Sequence, residues 1–148
     1  MRPEAVYEGP LPAVTNLNAP YWEALRQHRL TAQTCVACGL TWLPPGPWCP
    51  GCWSREFRWA DLSGRGTVTS FVRFHQQYYR DGPFQVPYVV GEVSLEEGPR
   101  LYAPIVGAEV AVGLAVEIGY DDVSADLTLA RFRPRGGDSP PDPLPDVP

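Results

Sequence analysis

The stretch CVACGLTWLPPGPWCPGC, residues 35–52, opens on Cys35-Val-Ala-Cys38 and closes on Cys49-Pro-Gly-Cys52. Each CxxC turn carries two thiolates to one side of a knuckle. Two knuckles brought together in a hairpin complete a tetrahedral sulfur site, with each sulfur about 2.3 Å from a Zn²⁺ ion. Gly39 follows the first pair directly and supplies the positive φ that turns backbone N–H groups toward the sulfurs. A lone CxxC also serves redox chemistry, but that use needs a surrounding βαβ pattern, which is missing here. The spacing therefore predicts a zinc ribbon over residues 30–60, with Cys35, Cys38, Cys49 and Cys52 as ligands and one structural Zn²⁺ per chain. Four thiolates close the coordination shell and leave no position for a catalytic water or substrate.

Upstream, residues 1–29 divide into an arm and a helix. The first 17 or so residues carry three prolines and no periodicity, as an extended arm does. Asn18 then precedes Ala19-Pro20, the pattern of an N-cap followed by a proline in the first helical turn. Tyr21, Trp22 and Leu25 share a face, which predicts a short amphipathic helix to about His28. Two to three turns are not stable alone, so this helix must dock on its own domain or on a partner.

Downstream of Asp61 the character changes to short β-rich runs. Strands are expected at about 66–75, 87–95, 100–105, 115–120 and 127–133, with a tight hairpin turn at Glu97-Gly98 and a further turn at Asp121-Asp122. Gly91 interrupts a β-branched run and predicts a bulge or a strongly bent strand. Five such strands over residues 61–133 suit an OB-type barrel. Residues 134–148, PRGGDSPPDPLPDVP, hold six prolines and no hydrophobic period, and read as a disordered tail.

The chain has 148 residues, of which 44% are hydrophobic and 11% aromatic, enough for a core. Its 12 basic residues are all arginine and face 17 acidic ones, for a net charge of -5. That balance opposes partners held mainly through phosphates or anionic lipid. The longest apolar runs fall far short of the roughly 20 residues a bilayer span needs, and the N-terminus shows no secretory pattern. A cytoplasmic location follows as an expectation, in which four cysteines serve a metal rather than disulfides.

Nothing in the chain assembles a catalytic constellation. His28 and His75 have no recognisable motif around them. Gly64-Arg65-Gly66 lacks the helix and lysine of a phosphate loop, and is expected to be a turn. Glu92, Glu96, Glu97, Asp121 and Asp122 read as a solvated face. What remains is surface. Trp42, Trp48, Trp53 and Trp59 outnumber what a small ribbon can enclose and should join it to the barrel, the helix or a partner. Tyr78, Tyr79, Arg80 and Phe84 fall in the loop between the first two barrel strands. They could stack on bases or adenine, anchor an interface, or fold back onto the barrel.

The knuckles, followed by FRWADLSGRGTVTSFVRFH, resemble the zinc-ribbon plus OB-fold family first catalogued as domain of unknown function 35, the acyl-CoA-associated OB-fold proteins. The aromatic helix Tyr21-Trp22-Glu23-Ala24-Leu25, the Pro44-Pro45 split between knuckles and the Gly64-x-Gly66-x-Val68 strand start carry the likeness, which runs from about Pro20 to Arg133. Gly46 and Trp53 depart from it, standing where arginine and glycine are common; all four cysteines remain. The resemblance implies a mainly β chain with a rubredoxin-like ribbon and a five-stranded OB-fold barrel. It also implies an accessory subunit of a thiolase-superfamily complex, an aldolase cleaving a steroid side-chain acyl-CoA or a thiolase, with the catalytic residues on the other chain. Tyr21, Trp22, Trp42, Trp48, Trp53, Tyr78, Tyr79 and Arg80 are then the candidate surface for that partner or for acyl-CoA. Two alternatives stand beside it. A stand-alone acyl-CoA binder would place Arg73, Arg80 or Arg100 on phosphates. A single-stranded nucleic-acid module is disfavoured because residues 64–133 hold six arginines against nine acids.

Overall fold

The computed structural model describes residues 9–79, 84–107 and 109–136. One helix, α1 (Ala19–Arg26), precedes eight strands. β1 (Leu30–Cys35), β2 (Thr41–Trp42) and β3 (Phe57–Leu62) form an antiparallel sheet in the order β2-β1-β3. β4 (Arg65–Phe74), β5 (Tyr88–Leu95), β6 (Arg100–Pro104), β7 (Ala115–Asp122) and β8 (Thr128–Pro134) form a second, in the order β6-β5-β4-β7-β8. That sheet curls until Ile105, just past β6, meets Phe132 of β8 in a parallel bridge, and the Val106 N–H donates to the Phe132 carbonyl at 2.8 Å. The two contacts close an OB-fold barrel from five strands, as expected from their number and spacing.

Both sheets share one interior. β1 and β3 pair over six registers, from Leu30 with Leu62 to Cys35 with Phe57. At one end of this ladder Cys35 and Phe57 pack with Trp42 and Cys49; at the other, Leu30, Trp59 and Leu62 pack into the barrel core around Val68, Val93, Val116 and Phe132. The stretch 30–62 was too punctuated to show these strands in advance. They form because the metal knuckles hold one end of the ladder and the barrel core buries the other. Helix α1 completes the core through Tyr21 and Leu25, so the docking that its length requires is met within the chain.

Several local expectations are corrected. Asn18 stands at the N-cap position without making a side-chain cap. Its side chain faces back, where Oδ1 accepts the Thr15 N–H at 2.7 Å and Nδ2 donates to the Ala13 carbonyl at 3.0 Å, pinning the arm to the helix. Asp121 and Asp122 end β7 instead of forming a turn; the reversal follows at residues 123–127. The bulge lies in β4 between Val68 and Ser70. Gly91 keeps regular register with Phe71 and Ala103, and its missing side chain makes room for Ile105, whose Cδ1 would stand 2.2 Å from any Cβ there. The Glu97-Gly98 hairpin is present, with Gly98 at φ +110°. The carboxylates are engaged more than a solvated face implies, Glu96 pairing with Arg65 and Arg135 and Asp121 with Arg131. Arg80, the first eight residues of the arm and residues 137–148 of the tail lie outside the described residues. No helix among the described residues is long and apolar enough to cross a membrane.

Candidate metal centre and interaction surface

The two knuckles are near copies of each other. β1 delivers Cys35, whose N–H donates to the Leu40 carbonyl at 2.8 Å while the Gly39 N–H donates to the Cys35 carbonyl at 3.0 Å. In the second knuckle the Cys49 N–H donates to the Ser54 carbonyl at 2.8 Å, and the Trp53 N–H to the Cys49 carbonyl at 2.9 Å. Gly39 and Trp53 occupy the same left-handed position, at φ +80° and +65°.

All four Sγ atoms lie within 4.8 Å of one another. Cys35 and Cys52 are 3.6 Å apart and Cys38 and Cys49 3.5 Å, close to the edge of about 3.8 Å that a tetrahedron of Zn–S bonds near 2.3 Å requires. Backbone N–H groups support the sulfurs, Cys38 N on Cys35 at 3.4 Å and Gly51 N on Cys49 at 3.3 Å. The Cys38 N–H is the largest influence drawing the Cys35 thiol down to about 6. The Ser54 N–H acts the same way on Cys52, but crowding by the other sulfurs, led by Cys35, and desolvation push that thiol up to about 12. Four thiolates at this spacing repel one another unless a cation sits among them. The donor set fits zinc and makes this a structural zinc site. Cys35 and Cys49 are buried on the ribbon side, whereas Cys38 and Cys52 are exposed.

A buried glutamine braces the site, and nothing in the sequence marked it. Gln33 Nε2 donates to the Gly46 carbonyl and its Oε1 accepts the Gly46 N–H, both at 2.8 Å. This two-way clasp lets a side chain play the part of a neighbouring strand and holds the Pro-rich span between the knuckles against β1.

The candidate surface residues separate by burial. Tyr21 and Trp42 are buried, Tyr21 in the barrel core and Trp42 against Phe57, Cys35 and Cys49, so both belong to the interior of this chain. Burial pushes the Tyr21 phenol up to about 12. Trp22 packs edge-on to Tyr21 at 5.2 Å and is half-covered; Trp59 likewise leans on the barrel core. Trp48 and Trp53 point outward, 41% and 70% exposed, with ring centroids 6.1 Å apart and the Arg55 guanidinium 5.9 Å from the Trp48 ring. Val36 and Leu40 of the first knuckle are exposed as well. The ribbon thus shows solvent an apolar surface bearing two indoles. Tyr78 and Tyr79 are exposed in the β4–β5 loop, where Tyr78 stands edge-on to Phe74 at 6.1 Å. The structure does not bring Tyr78 or Tyr79 into contact with the tryptophan pair.

Two polar clusters went unforeseen. His28 Nε2 lies 3.0 and 2.9 Å from the two Asp122 oxygens, its ring stacks on Tyr120 at 5.0 Å, and the Thr128 hydroxyl donates to Asp122 at 2.6 Å. On the outer face of β5 and β6, Glu92 accepts from the Tyr102 and Thr69 hydroxyls and pairs with Arg100 at 3.2 Å. Both depend on cross-strand pairing, so no local pattern announces them.

Two family models match the chain in succession: the ChsH2 rubredoxin-like zinc ribbon domain over residues 22–58 and the ChsH2 C-terminal OB-fold domain over residues 59–121. A DUF35 domain-containing scaffold protein of Methanocaldococcus jannaschii is 31% identical over 110 residues, covering 71% of this chain and 77% of that protein. The chain belongs to the DUF35 family. A probable enoyl-CoA hydratase alpha subunit of Thermomonospora curvata is 38% identical over 128 residues, 84% of this chain; the chain spans only 40% of that longer relative. Among solved structures, a chain of the Ltp2-ChsH2(DUF35) aldolase is 37% identical with a TM-score of 0.76, covering 84% of this chain and 98% of that one.

Proposed function

We propose that this chain is the non-catalytic scaffold subunit of a cytoplasmic acyl-CoA complex whose chemistry is carried out by a thiolase-superfamily chain. Its reaction is retro-aldol carbon–carbon cleavage of a steroid side-chain acyl-CoA, with thiolysis as the alternative within the same superfamily. The observation that carries this reading is the likeness to the DUF35 chain of the Ltp2-ChsH2(DUF35) aldolase over 98% of that chain's length.

The geometry supports the division of labour. Four cysteines satisfy the zinc and leave it no open position, which makes the metal a staple for the knuckles. The surface around Trp48 and Trp53 has the character of an interface anchor: aromatic, rigid, and flanked by an arginine that stacks on one ring. A partner that covers these rings desolvates both at once. A single-stranded nucleic-acid ligand fits less well, because Glu92 lies on the outer β5–β6 face where an OB-fold takes such ligands, and the net charge of -5 repels phosphates.

Affinity purification of the tagged chain from its native cell, followed by coexpression with the thiolase-like protein recovered, tests the proposal. A stable hetero-oligomer that cleaves acyl-CoA only when both chains are present is the expected result. A persistent monomer beside a fully active partner overturns it.

A further inference from the structure

The four sulfurs of the zinc site are not equivalent. Cys38 and Cys52 are exposed, whereas Cys35 and Cys49 are buried. Two short sulfur–sulfur contacts run between the knuckles, and each joins an exposed cysteine to a buried one: Cys38 to Cys49 at 3.5 Å and Cys52 to Cys35 at 3.6 Å. Beside the first of these pairs stands Gly51, an exposed residue whose N–H donates to the Cys49 sulfur at 3.3 Å. A Cβ on Gly51 would lie 3.6 Å from the Cys49 sulfur, 3.9 Å from the Cys38 sulfur and 3.0 Å from Leu40 Cδ2. The missing side chain therefore leaves a gap that touches both sulfurs, with Leu40 as its other wall. The φ of Gly51 is not in the left-handed region, so the backbone of the turn does not demand glycine there.

We infer that Cys38 is a site of oxidation by hydrogen peroxide, with Cys49 as its resolving partner. An accessible thiolate with a second cysteine in contact is the arrangement that peroxide converts to a disulfide. The Cys38 sulfur attacks one peroxide oxygen; the S–O bond forms, the O–O bond breaks and hydroxide leaves, giving a sulfenic acid. The Cys49 sulfur then attacks the Cys38 sulfur; the S–S bond forms, the S–O bond breaks and a second hydroxide leaves. Two thiolates are oxidised by two electrons in all, and one peroxide is reduced to two hydroxides. Cys35 and Cys52 alone do not complete a tetrahedral shell and release the metal.

The second knuckle carries the consequence. Trp48 precedes Cys49 and Trp53 follows Cys52, and the Trp53 N–H is held by the Cys49 carbonyl at 2.9 Å. The knuckle that loses its metal is thus the one that presents the indole pair. Oxidation should therefore weaken docking of the catalytic subunit, a consequence that rests on the reading of Trp48 and Trp53 as its anchor.

Titration of the zinc-loaded full chain with hydrogen peroxide tests the site, with released zinc followed by a metallochromic indicator and the cross-link located by mass spectrometry. Zinc should leave as Cys38 and Cys49 become joined with the loss of two hydrogens, and a dithiol reductant with added zinc should reverse both. Gly51→Ala should load zinc as the unaltered chain does and release it several times more slowly at the same peroxide concentration, because its methyl group fills the gap. A cross-link between Cys35 and Cys52, zinc loss with sulfinic or sulfonic products alone, or equal release from Gly51→Ala and the unaltered chain overturns the assignment. So does full retention of zinc with unmodified thiols. Binding of the reduced and oxidised chains to the thiolase-like protein should then differ by about tenfold or more; equal affinity overturns the effect on docking. A reduced chain that binds no such protein refutes the scaffold reading and leaves the oxidation, measured on the chain alone, standing.

Discussion

Trp53 holds in the second knuckle the left-handed backbone that Gly39 holds in the first, φ +65° against +80°, and each donates its N–H to the carbonyl of the first cysteine of its pair. Glycine adopts this conformation freely, whereas a residue with a Cβ pays on the order of 1 kcal/mol for it. Trp53 is also the most exposed tryptophan of the ribbon. The knuckle therefore carries strain at the very side chain it shows to solvent, the combination found where surface is kept for binding.

Trp53→Gly should separate the two contributions. Zinc-loaded protein should gain up to about 1 kcal/mol in chemical denaturation, because the strain is relieved and no buried contact is lost. Affinity for the proposed catalytic partner should fall tenfold or more, as expected on removing an aromatic anchor of roughly 1–2 kcal/mol. Reduced stability together with unchanged partner affinity would show Trp53 to be a packing residue.

Zinc removal should act on the ribbon first. Cys49→Ser takes away a fully buried ligand and should reduce bound zinc, measured by metal analysis, from one per chain to well below one. Trp42, packed against Cys35 and Cys49, should then shift its emission to the red. Since β1 and β3 run from the knuckles into the barrel core, the loss should lower the melting temperature of the whole chain.

Gly91 and Ile105 should be energetically coupled. Gly91→Ala drives a methyl to within 2.2 Å of Ile105 Cδ1 and should cost about 1–3 kcal/mol by overpacking. Ile105→Val deletes that atom, so the double variant should recover part of the loss. A double-mutant cycle read by urea denaturation gives the coupling; strict additivity would mean that the strand shifts to absorb the clash.

The clasp between His28 and Asp122 should leave a trace in acid. The Thr128 hydroxyl, then His28, hold the Asp122 carboxyl below its ordinary value. A depressed carboxyl contributes stability that is present above the unfolded value of about 3.9 and is lost as pH falls through the lower folded one. Asp122→Asn should therefore reduce stability at neutral pH, make no difference at the acid end, and flatten the pH dependence in between. The side chain is 57% exposed, so solvent screening keeps the effect under about 1 kcal/mol. A denaturation series from pH 7 to pH 2 measures it.

The metal centre was legible from spacing alone, because CxxC geometry is local and the tetrahedral demand of zinc leaves four thiolates few arrangements. Five barrel strands were legible as well, since alternation within each run and the glycines between them record burial on one face. The amphipathic helix was visible, but whether Tyr21 faced a partner or the core was not, because an apolar face does not say what covers it; the barrel interior does. For the same reason four tryptophans close in sequence divided into Trp42 and Trp59 inside and Trp48 and Trp53 outside. Gln33 on Gly46, His28 on Asp122 and Glu92 with Tyr102 join residues 10 to 94 positions apart, and such pairings follow from register and barrel closure, not from any local pattern. Sequence by itself determined which residues bind the metal and which runs become strands. Only the tertiary structure decided which aromatic surface stays open among the described residues, because that depends on how the ribbon and helix pack against the curled sheet where β8 meets β6.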